Sequence, residues 1–236
     1  MITLTIDDQK VVAEEGMTIL EAAREHGIYI PTLCYHEALK PYGACRLCIV
    51  EFADERRGAR LVSSCSFPAQ DGAVIRTNSP LVLEARRMII ELLLADCPDV
   101  KAVRELADEL GVEKSQFEPE GEGNDCILCG LCVRACQEIV GVSAISLINR
   151  GIEKKVKPPF EIASSVCIGC GTCVFVCPTG AITLEDIGRP RLAHEWHSEF
   201  QARPCRVCGD HYLVPESVSD YQELLAEEES RSVSSG

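Results

Sequence analysis

Eight cysteines in two short runs are the residues best placed to do chemistry. Each run has the spacing C-x2-C-x2-C-x3-C, and a proline follows the second run. In such a run the first three thiolates bind one 4Fe-4S cube and the fourth binds the other cube. The pattern therefore predicts two interlocked cubes. One is assigned to Cys126, Cys129, Cys132 and Cys177, and the other to Cys167, Cys170, Cys173 and Cys136.

The two runs belong to an internal repeat. Their first cysteines are 41 positions apart, and the runs continue into the similar sequences Ala-Ile-Ser-Leu and Ala-Ile-Thr-Leu. A loop, a short helix and a strand are expected to recur. Zinc or disulfides are disfavoured, because structural zinc prefers separated Cys-x2-4-Cys pairs. Gln137 stands where the second run has Pro178, which should change the turn and not the number of ligands.

The composition favours a soluble cytoplasmic protein. The 15 cysteines are odd in number and clustered, which suits thiolates in a reducing compartment, and the strand-like sequence after Met1 does not resemble an export signal. No apolar run approaches the roughly 18 residues of a membrane span. The net charge of -14 disfavours nucleic acid as a partner and suits docking on other protein subunits.

The first 80 residues combine a hairpin, a helix and a cysteine loop. Residues 2–6 and 11–13 predict two strands around a turn. Thr18 and Glu21 form a capping box, and Gly27 ends the helix that follows. Four further cysteines then have the spacing C-x10-C-x2-C-x16-C. They are Cys34, Cys45, Cys48 and Cys65.

This N-terminal arrangement resembles a β-grasp ferredoxin that holds a 2Fe-2S cluster. Plant-type ferredoxins have four residues between the first two cysteines, whereas this chain has ten. With residues 44–51 (Ala-Cys-Arg-Leu-Cys-Ile-Val-Glu), the loop looks like the N-terminal domain of the large iron-sulfur subunit of complex I. It is similar also to the diaphorase iron-sulfur subunit of NAD-linked hydrogenases and to the N-terminus of multimeric and electron-bifurcating iron-only hydrogenases. The resemblance implies that Cys34, Cys45, Cys48 and Cys65 hold 2Fe-2S. Zinc is disfavoured, since only one Cys-x2-Cys pair is present.

Residues 79–111 predict two helices. Ser79 and Pro80 begin the first, and the second ends before Gly111. The predicted apolar face of the first helix consists of Val82, Ala85, Ile89 and Leu92. The resembled family usually carries a His-x3-Cys-x2-Cys-x5-Cys cluster site here, of which this chain keeps only Cys97. Leu93, Val100 and Leu106 occupy the other three positions. We therefore expect no cluster here, and a small buried role for Cys97.

Three other segments carry weaker predictions. Residues 113–124 are expected to be an acidic linker, and the lysine-bearing segment 148–163 a solvated loop. Near the C-terminus, Cys205 and Cys208 with two histidines suit a zinc knuckle. His194 and His197 are the assigned partners, with His211 as the alternative ligand. A further iron-sulfur centre is the rival interpretation, and no metal is the third. The acidic, serine-rich tail from Tyr221 predicts disorder.

The fold class predicted is α+β, with four parts. Residues 1–80 form the 2Fe-2S domain and 81–123 a helical segment and linker. Residues 124–190 form a bacterial-type dicluster 4Fe-4S ferredoxin domain, and 191–236 a C-terminal extension with the knuckle and a flexible tail.

The function predicted is electron transfer by a non-catalytic subunit. The chain contains no dinucleotide fingerprint, phosphate loop or arguable Ser-His-Asp set. The resemblance implies the iron-sulfur relay of a cytoplasmic NAD(P)-linked complex, beside a flavin subunit that handles the nicotinamide. The terminal partner implied is a nickel-iron hydrogenase, an iron-only hydrogenase or a formate dehydrogenase, and some such complexes bifurcate electrons and also use ferredoxin. A free ferredoxin-like carrier and an iron-sulfur redox sensor or zinc regulatory protein are the alternatives.

Overall fold

The computed structural model describes most of the chain in two compact units. They comprise Met1–Cys129 and Gly130–Gly236. Residues 1–54, 58–118, 123–159 and 167–183 are described, together with the backbone of the strands at 185–186, 191–193, 198–204 and 211–215. No described helix is both long and apolar enough to cross a membrane.

A five-stranded mixed sheet forms the core of the first unit. Its strands are β1 (Ile2–Ile6), β2 (Gln9–Ala13), β3 (Ile49–Asp54), β4 (Gly58–Ser63) and β5 (Val74–Arg76), in the order β2-β1-β5-β3-β4. Strands β1 and β5 are parallel and the other neighbours are antiparallel. The helix α1 (Ile19–Glu25) contributes four buried residues to the same core. This is the β-grasp arrangement that the sequence predicted.

The β1–β2 hairpin forms because its two-residue turn and the alternation of buried and exposed residues in its strands favour the same pairing. Asp7 and Asp8 have φ values of 47° and 67°, the left-handed conformation that two-residue hairpin turns require and that aspartate tolerates. Leu4, Ile6 and Val11 are at most 1% exposed, so alternate residues face the core. The predicted hairpin is confirmed, with β2 beginning two residues earlier than expected.

Helix α1 begins at the predicted capping box. The Glu21 amide donates to Thr18 Oγ1 over 3.3 Å, and the Thr18 amide donates to the Glu21 carboxylate over 2.8 Å. Two otherwise unpaired amides are thereby satisfied. Gly27, with a φ of 71°, follows the end of the helix, where a residue without Cβ adopts this conformation at little cost.

Two helices follow the sheet, as predicted. Helix α2 (Pro80–Asp96) begins after Ser79, whose Oγ accepts a hydrogen bond from the Val82 amide, and helix α3 (Lys101–Glu109) ends before Gly111. Helix α2 packs against β3 and α3. The predicted face was wrong in part, because α2 buries Val82, Arg86 and Ile90, whereas Leu92 is 51% exposed.

The described ends of the predicted linker contact helix α2. Gln116 Nε2 donates to the Glu91 carboxylate over 2.6 Å. The Asn124 amide donates to the Asp96 carbonyl over 2.7 Å, and its side chain donates to the Asp96 carboxylate over 2.6 Å. Residues 119–122 of this segment lie outside the described residues. The chain that leads to Cys126 is thus held at the C-terminal end of α2.

The second unit contains two short helices and two small sheets. Helix α4 (Leu131–Arg134) continues as a π-helical segment (Ala135–Val140), and helix α5 is Thr172–Phe175. Strands β6 (Ser146–Ile148) and β7 (Lys155–Lys157) pair antiparallel. The backbone of β8 (Glu185–Asp186), β9 (Arg191–Ala193), β10 (Ser198–Pro204) and β11 (His211–Pro215) forms an antiparallel sheet in the order β11-β10-β9-β8. The solvated loop predicted for 148–163 was therefore wrong at β7, where Val156 is buried.

Removing the Thr18 hydroxyl should loosen helix α1. We expect Thr18→Ala to lower the free energy of opening of this helix by about 1 kcal/mol, because the Glu21 amide loses its acceptor. Amide hydrogen exchange of the intact protein measures the change. Thr18→Ser keeps the hydroxyl and is the matched control. Equal exchange in the two variants would contradict the capping role.

Candidate metal centres

Four buried cysteines form the first group. Cys34, Cys45 and Cys48 lie on the loop between α1 and β3, and Cys65 follows β4. Their exposed fractions are 1%, 8%, 1% and 1%. The strand pair β3–β4 joins the two parts of the group, because Ile49 pairs with Ser63. The fold therefore brings together the four cysteines whose spacing predicted a single site.

Within this group the thiols make two pairs. The Cys45 thiol is hydrogen-bonded to Cys34, and the Cys48 thiol to Cys65. Electrostatic interactions link the two pairs, since the charge of Cys34 acts to raise the pKa values of both Cys48 and Cys65. Two sulfurs in contact suit two ligands of one tetrahedral iron, and two such pairs suit a cluster of two irons.

Three of the four thiols have shifted pKa values. The pKa of Cys48 is lowered to about 6, mainly by a hydrogen bond from Cys65 and against the effect of burial. The pKa values of Cys45 and Cys65 are strongly raised, each by its hydrogen-bonded partner first and by burial next. The site thus accommodates some negative charge, but four thiolates need a nearby positive charge, which bound iron supplies. The donor set fits a 2Fe-2S cluster.

A second group of cysteines surrounds a cavity in the second unit. The cavity is partly open to solvent. Its cysteine lining consists of Cys136, Cys167, Cys170 and Cys173. The remaining wall includes aliphatic side chains such as Val140 and Ile145, and the Ala144 amide donates to Cys136 Sγ over 3.2 Å. Four sulfurs around one largely apolar cavity fit a 4Fe-4S cube.

The remaining four cysteines of the two C-x2-C-x2-C-x3-C runs are divided between the two units. Cys126 and Cys129 belong to the first unit, and Cys132 and Cys177 to the second. Cys129 and Cys132 are buried, and the other two are half-buried. Their assignment to one cube stays a prediction.

The predicted repeat is visible in the backbone around the runs. Gly130 and Gly171, 41 positions apart, have φ values of 70° and 73° and precede helices α4 and α5. Gly169 has a φ of 63°, and the equivalent Leu128 has a φ of 52°, so a leucine occupies a conformation that favours glycine. Without a proline after Cys136, the first helix continues as the π-helical segment, as the replacement by Gln137 suggested.

Two threonine hydroxyls contact sulfurs of the runs. Thr172 Oγ1 is 3.3 Å from Cys170 Sγ, and Thr179 Oγ1 is 3.5 Å from Cys177 Sγ. Burial raises the pKa of Cys177, but hydrogen bonds from Thr179, Ala181 and Ile182 outweigh it, and the net pKa is lowered. Hydroxyl donors to cluster sulfur favour the reduced cluster, because they offset its added negative charge.

Cys97 is buried at the C-terminal end of α2. It is 0% exposed and follows the last residue of α2, with its amide donating to the Leu93 carbonyl. Burial, then the charges of Asp96 and Cys126, raise its pKa to about 12, so it carries a proton at neutral pH. Val100 and Leu106, at two of the resembled family's ligand positions, are at most 9% exposed. The predicted small buried role is confirmed.

The zinc knuckle cannot be placed from the described residues. His194, His197, Cys205 and Cys208 lie outside them, and His211 is described only as the first backbone position of β11. Among the described side chains, no group of three or more His, Cys, Asp or Glu is arranged for a single metal ion. The knuckle therefore stays a prediction.

Sequence reasoning missed Arg86, which contacts the loop of the first cysteine group. Its guanidinium donates to the carbonyls of Leu47 and Ile49. The signal was a charged residue midway between Val82 and Ile90, four positions from each, on what the structure shows to be the buried face of α2.

These features define an iron-sulfur protein with two ferredoxin-like parts. Residues 1–80 match the family described as a 2Fe-2S iron-sulfur cluster binding domain. Residues 125–181 and 166–210 match the 4Fe-4S dicluster domain. The chain therefore contains both of these domains, and it carries a 2Fe-2S cluster and two 4Fe-4S clusters. Electron transfer is the role that this set of clusters defines.

Known relatives match most of this chain over a part of longer chains. An NADH-quinone oxidoreductase chain of Rhizobium meliloti is 39% identical over 77% of this chain and 24% of its own length. NADP-reducing hydrogenase subunit HndD of Solidesulfovibrio fructosivorans is 38% identical over 77% of this chain and 36% of its own length. NADPH-Fe(3+) oxidoreductase subunit alpha of Geobacter sulfurreducens is 34% identical over 89% of this chain and 27% of its own length. The chain thus spans about a quarter to a third of these relatives. The family resemblance drawn from the cysteine spacing is confirmed.

One similar solved structure has a chain of comparable length. It is a crystal structure of an NAD+-reducing NiFe-hydrogenase in the H2-reduced state, and the match has a TM-score of 0.61 at 28% identity. It covers 91% of this chain and 87% of that chain.

Replacing each threonine by isosteric valine should affect one cube at a time. We expect Thr172→Val to make the midpoint potential of the cube at Cys170 more negative, and Thr179→Val to do so for the cube at Cys177, because each loses a hydroxyl donor. Redox titration followed by electron paramagnetic resonance (EPR) measures both potentials, and the unaffected cube in each variant is the control. Equal shifts of both cubes in one variant would argue against this assignment.

Cys97 should be dispensable for iron binding. We expect Cys97→Ala to keep the full iron and sulfide content and to lose about 1 kcal/mol of stability, as for a small cavity in a core. Cys126→Ala, at a predicted cube ligand nearby, is the control and should lose iron. Iron and sulfide analysis of anaerobically prepared protein measures the difference. Loss of iron from the Cys97 variant would show that this thiol is a ligand.

Proposed function

We propose that the chain is the electron-transfer subunit of a cytoplasmic NAD(P)-linked oxidoreductase complex of hydrogenase or formate dehydrogenase type. It relays single electrons between a flavin subunit that handles the nicotinamide and a terminal catalytic subunit. The observation that carries this proposal is the match over 87% of a chain from an NAD+-reducing hydrogenase. The curated relatives add support, since their names include NADH, NADP and NADPH oxidoreductases.

The proposal assigns twelve cysteines to the three clusters. In the 2Fe-2S cluster, Cys34 and Cys45 bind one iron and Cys48 and Cys65 the other, which the two thiol pairs support. One cube binds Cys136, Cys167, Cys170 and Cys173, which the cavity supports. The other cube binds Cys126, Cys129, Cys132 and Cys177, which the run spacing supports.

The chemistry explains why such a subunit stands between two others. A nicotinamide gives up two electrons as a hydride, whereas each iron-sulfur cluster takes one electron at a time. A flavin on the partner subunit accepts the two electrons together and passes them on one at a time. The residues of this chain then hold the clusters in place, exclude water from them and set their potentials through hydrogen bonds and nearby charge.

Native purification tests the proposal. We expect the chain to copurify with a flavoprotein and to contain about ten irons, two from the 2Fe-2S cluster and about eight from the two cubes. NADH or NADPH should reduce the clusters of the complex, and EPR should follow the reduction. The isolated chain, which lacks the flavin subunit, is the control and should not be reduced by nicotinamide.

Two results would contradict the proposal. About four irons per chain would exclude a three-cluster relay. A native protein that runs as a monomer with a full set of clusters would instead identify a free electron carrier.

A further inference from the structure

Arg86 is a charged side chain in the interior of the first unit. It lies midway along α2 and is 5% exposed, on the same face as the fully buried Val82 and Ile90. Burying a charge is costly unless the surroundings compensate for it. A straight apolar side chain would fill this position without that cost, so the charge needs an explanation.

The hydrogen bonds of Arg86 converge on the loop around Cys48. Nε donates to the Leu47 carbonyl over 3.0 Å, and Nη2 donates to the Ile49 carbonyl over 2.7 Å. The carbonyl of Cys48 itself accepts from the Ser64 amide at 3.1 Å and from Ser64 Oγ at 2.7 Å. Three successive carbonyls are therefore fixed, two by Arg86 and one by the residue that precedes Cys65.

The positive charge of Arg86 is held beside this loop. Burial lowers the pKa of the guanidinium, and the groups that oppose this are, in decreasing order, Cys48, Glu109, Tyr29 and Asp7. An arginine keeps its proton in such surroundings. Its two hydrogen bonds to the loop go to neutral carbonyls, so they do not neutralise the cation. The cation therefore lies against the two residues that flank Cys48.

We propose that Arg86 is a positioning residue that fixes the Cys48 loop and supplies the buried positive charge that raises the reduction potential of the 2Fe-2S cluster. This inference rests on the ligand assignment made above for Cys34, Cys45, Cys48 and Cys65. Reduction adds one electron, and hence one negative charge, to the cluster. A cation held nearby in a medium of low dielectric constant lowers the free energy of that reduced state.

Three variants separate charge from packing. Arg86→Gln removes the charge and keeps an amide donor, and Arg86→Lys keeps a charge and loses the forked geometry. Arg87→Gln is the matched control. Arg87 is the next residue of the same helix, is exposed, and also donates from Nε to a carbonyl, that of Leu110, over 3.0 Å. Its loss changes the net charge by the same amount.

The measurement is the midpoint potential of the 2Fe-2S EPR signal in the full chain, titrated anaerobically with dithionite as the electron donor. We expect Arg86→Gln to make the midpoint potential more negative, by more than Arg87→Gln does. The Arg86→Lys variant keeps the charge and should have a potential close to that of the wild type. The potentials of the two cubes should stay the same in all three variants.

Distinct results would overturn distinct statements. A wild-type chain without a 2Fe-2S signal would overturn the ligand assignment and this inference together. A normal wild-type signal with equal potentials in Arg86→Gln and Arg87→Gln would overturn the role of Arg86 alone. If the Arg86→Gln variant loses two irons, its 2Fe-2S potential cannot be measured, and the Arg86→Lys variant then tests the role of the charge. A lysine variant with iron and a near wild-type potential supports the charge role, and one that also loses the irons overturns it.

Discussion

The sulfurs of the first cysteine group are buried, and the surrounding structure compensates for the negative charge that they carry when they bind iron. A buried charge is unfavourable unless hydrogen bonds or an opposite charge accompany it. Around the first cysteine group, the amides of Leu33 and Cys45 donate to sulfur and Arg86 supplies a cation. In the second unit, the Ala144 amide and the Thr172 hydroxyl contact sulfur. The same contacts set redox potentials, so stability and function depend on one set of interactions.

Local features of the fold could be predicted because their causes are local. The capping box of α1, the Ser79 cap of α2 and the left-handed glycines before α4 and α5 each depend on a few neighbouring residues. The cysteine groups were predictable for another reason. Ligand spacing reflects the shape of the cluster, and the structure brings together two of the three predicted sets.

Features that depend on distant contacts could not be predicted. Arg86 binds carbonyls 39 and 37 positions away in the sequence, and a search for apolar periodicity does not select an arginine. For that reason the predicted face of α2 was rotated from the observed one. Strand β7 was missed because its two lysines surround a single buried valine, and only its pairing with β6 makes it a strand.

Helix α2 contacts two cysteine-bearing segments of the first unit. Its middle binds the loop around Cys48 through Arg86, and its end at Asp96 holds Asn124, close to Cys126. At 1.5 Å per residue, the ten residues from Arg86 to Asp96 correspond to about 15 Å along the axis. The helix thus sets the spacing of these two segments, and electron transfer between clusters depends steeply on distance. On the ligand assignment proposed above, one further turn in this helix would separate the two sites by about 5.4 Å more and slow electron transfer between them.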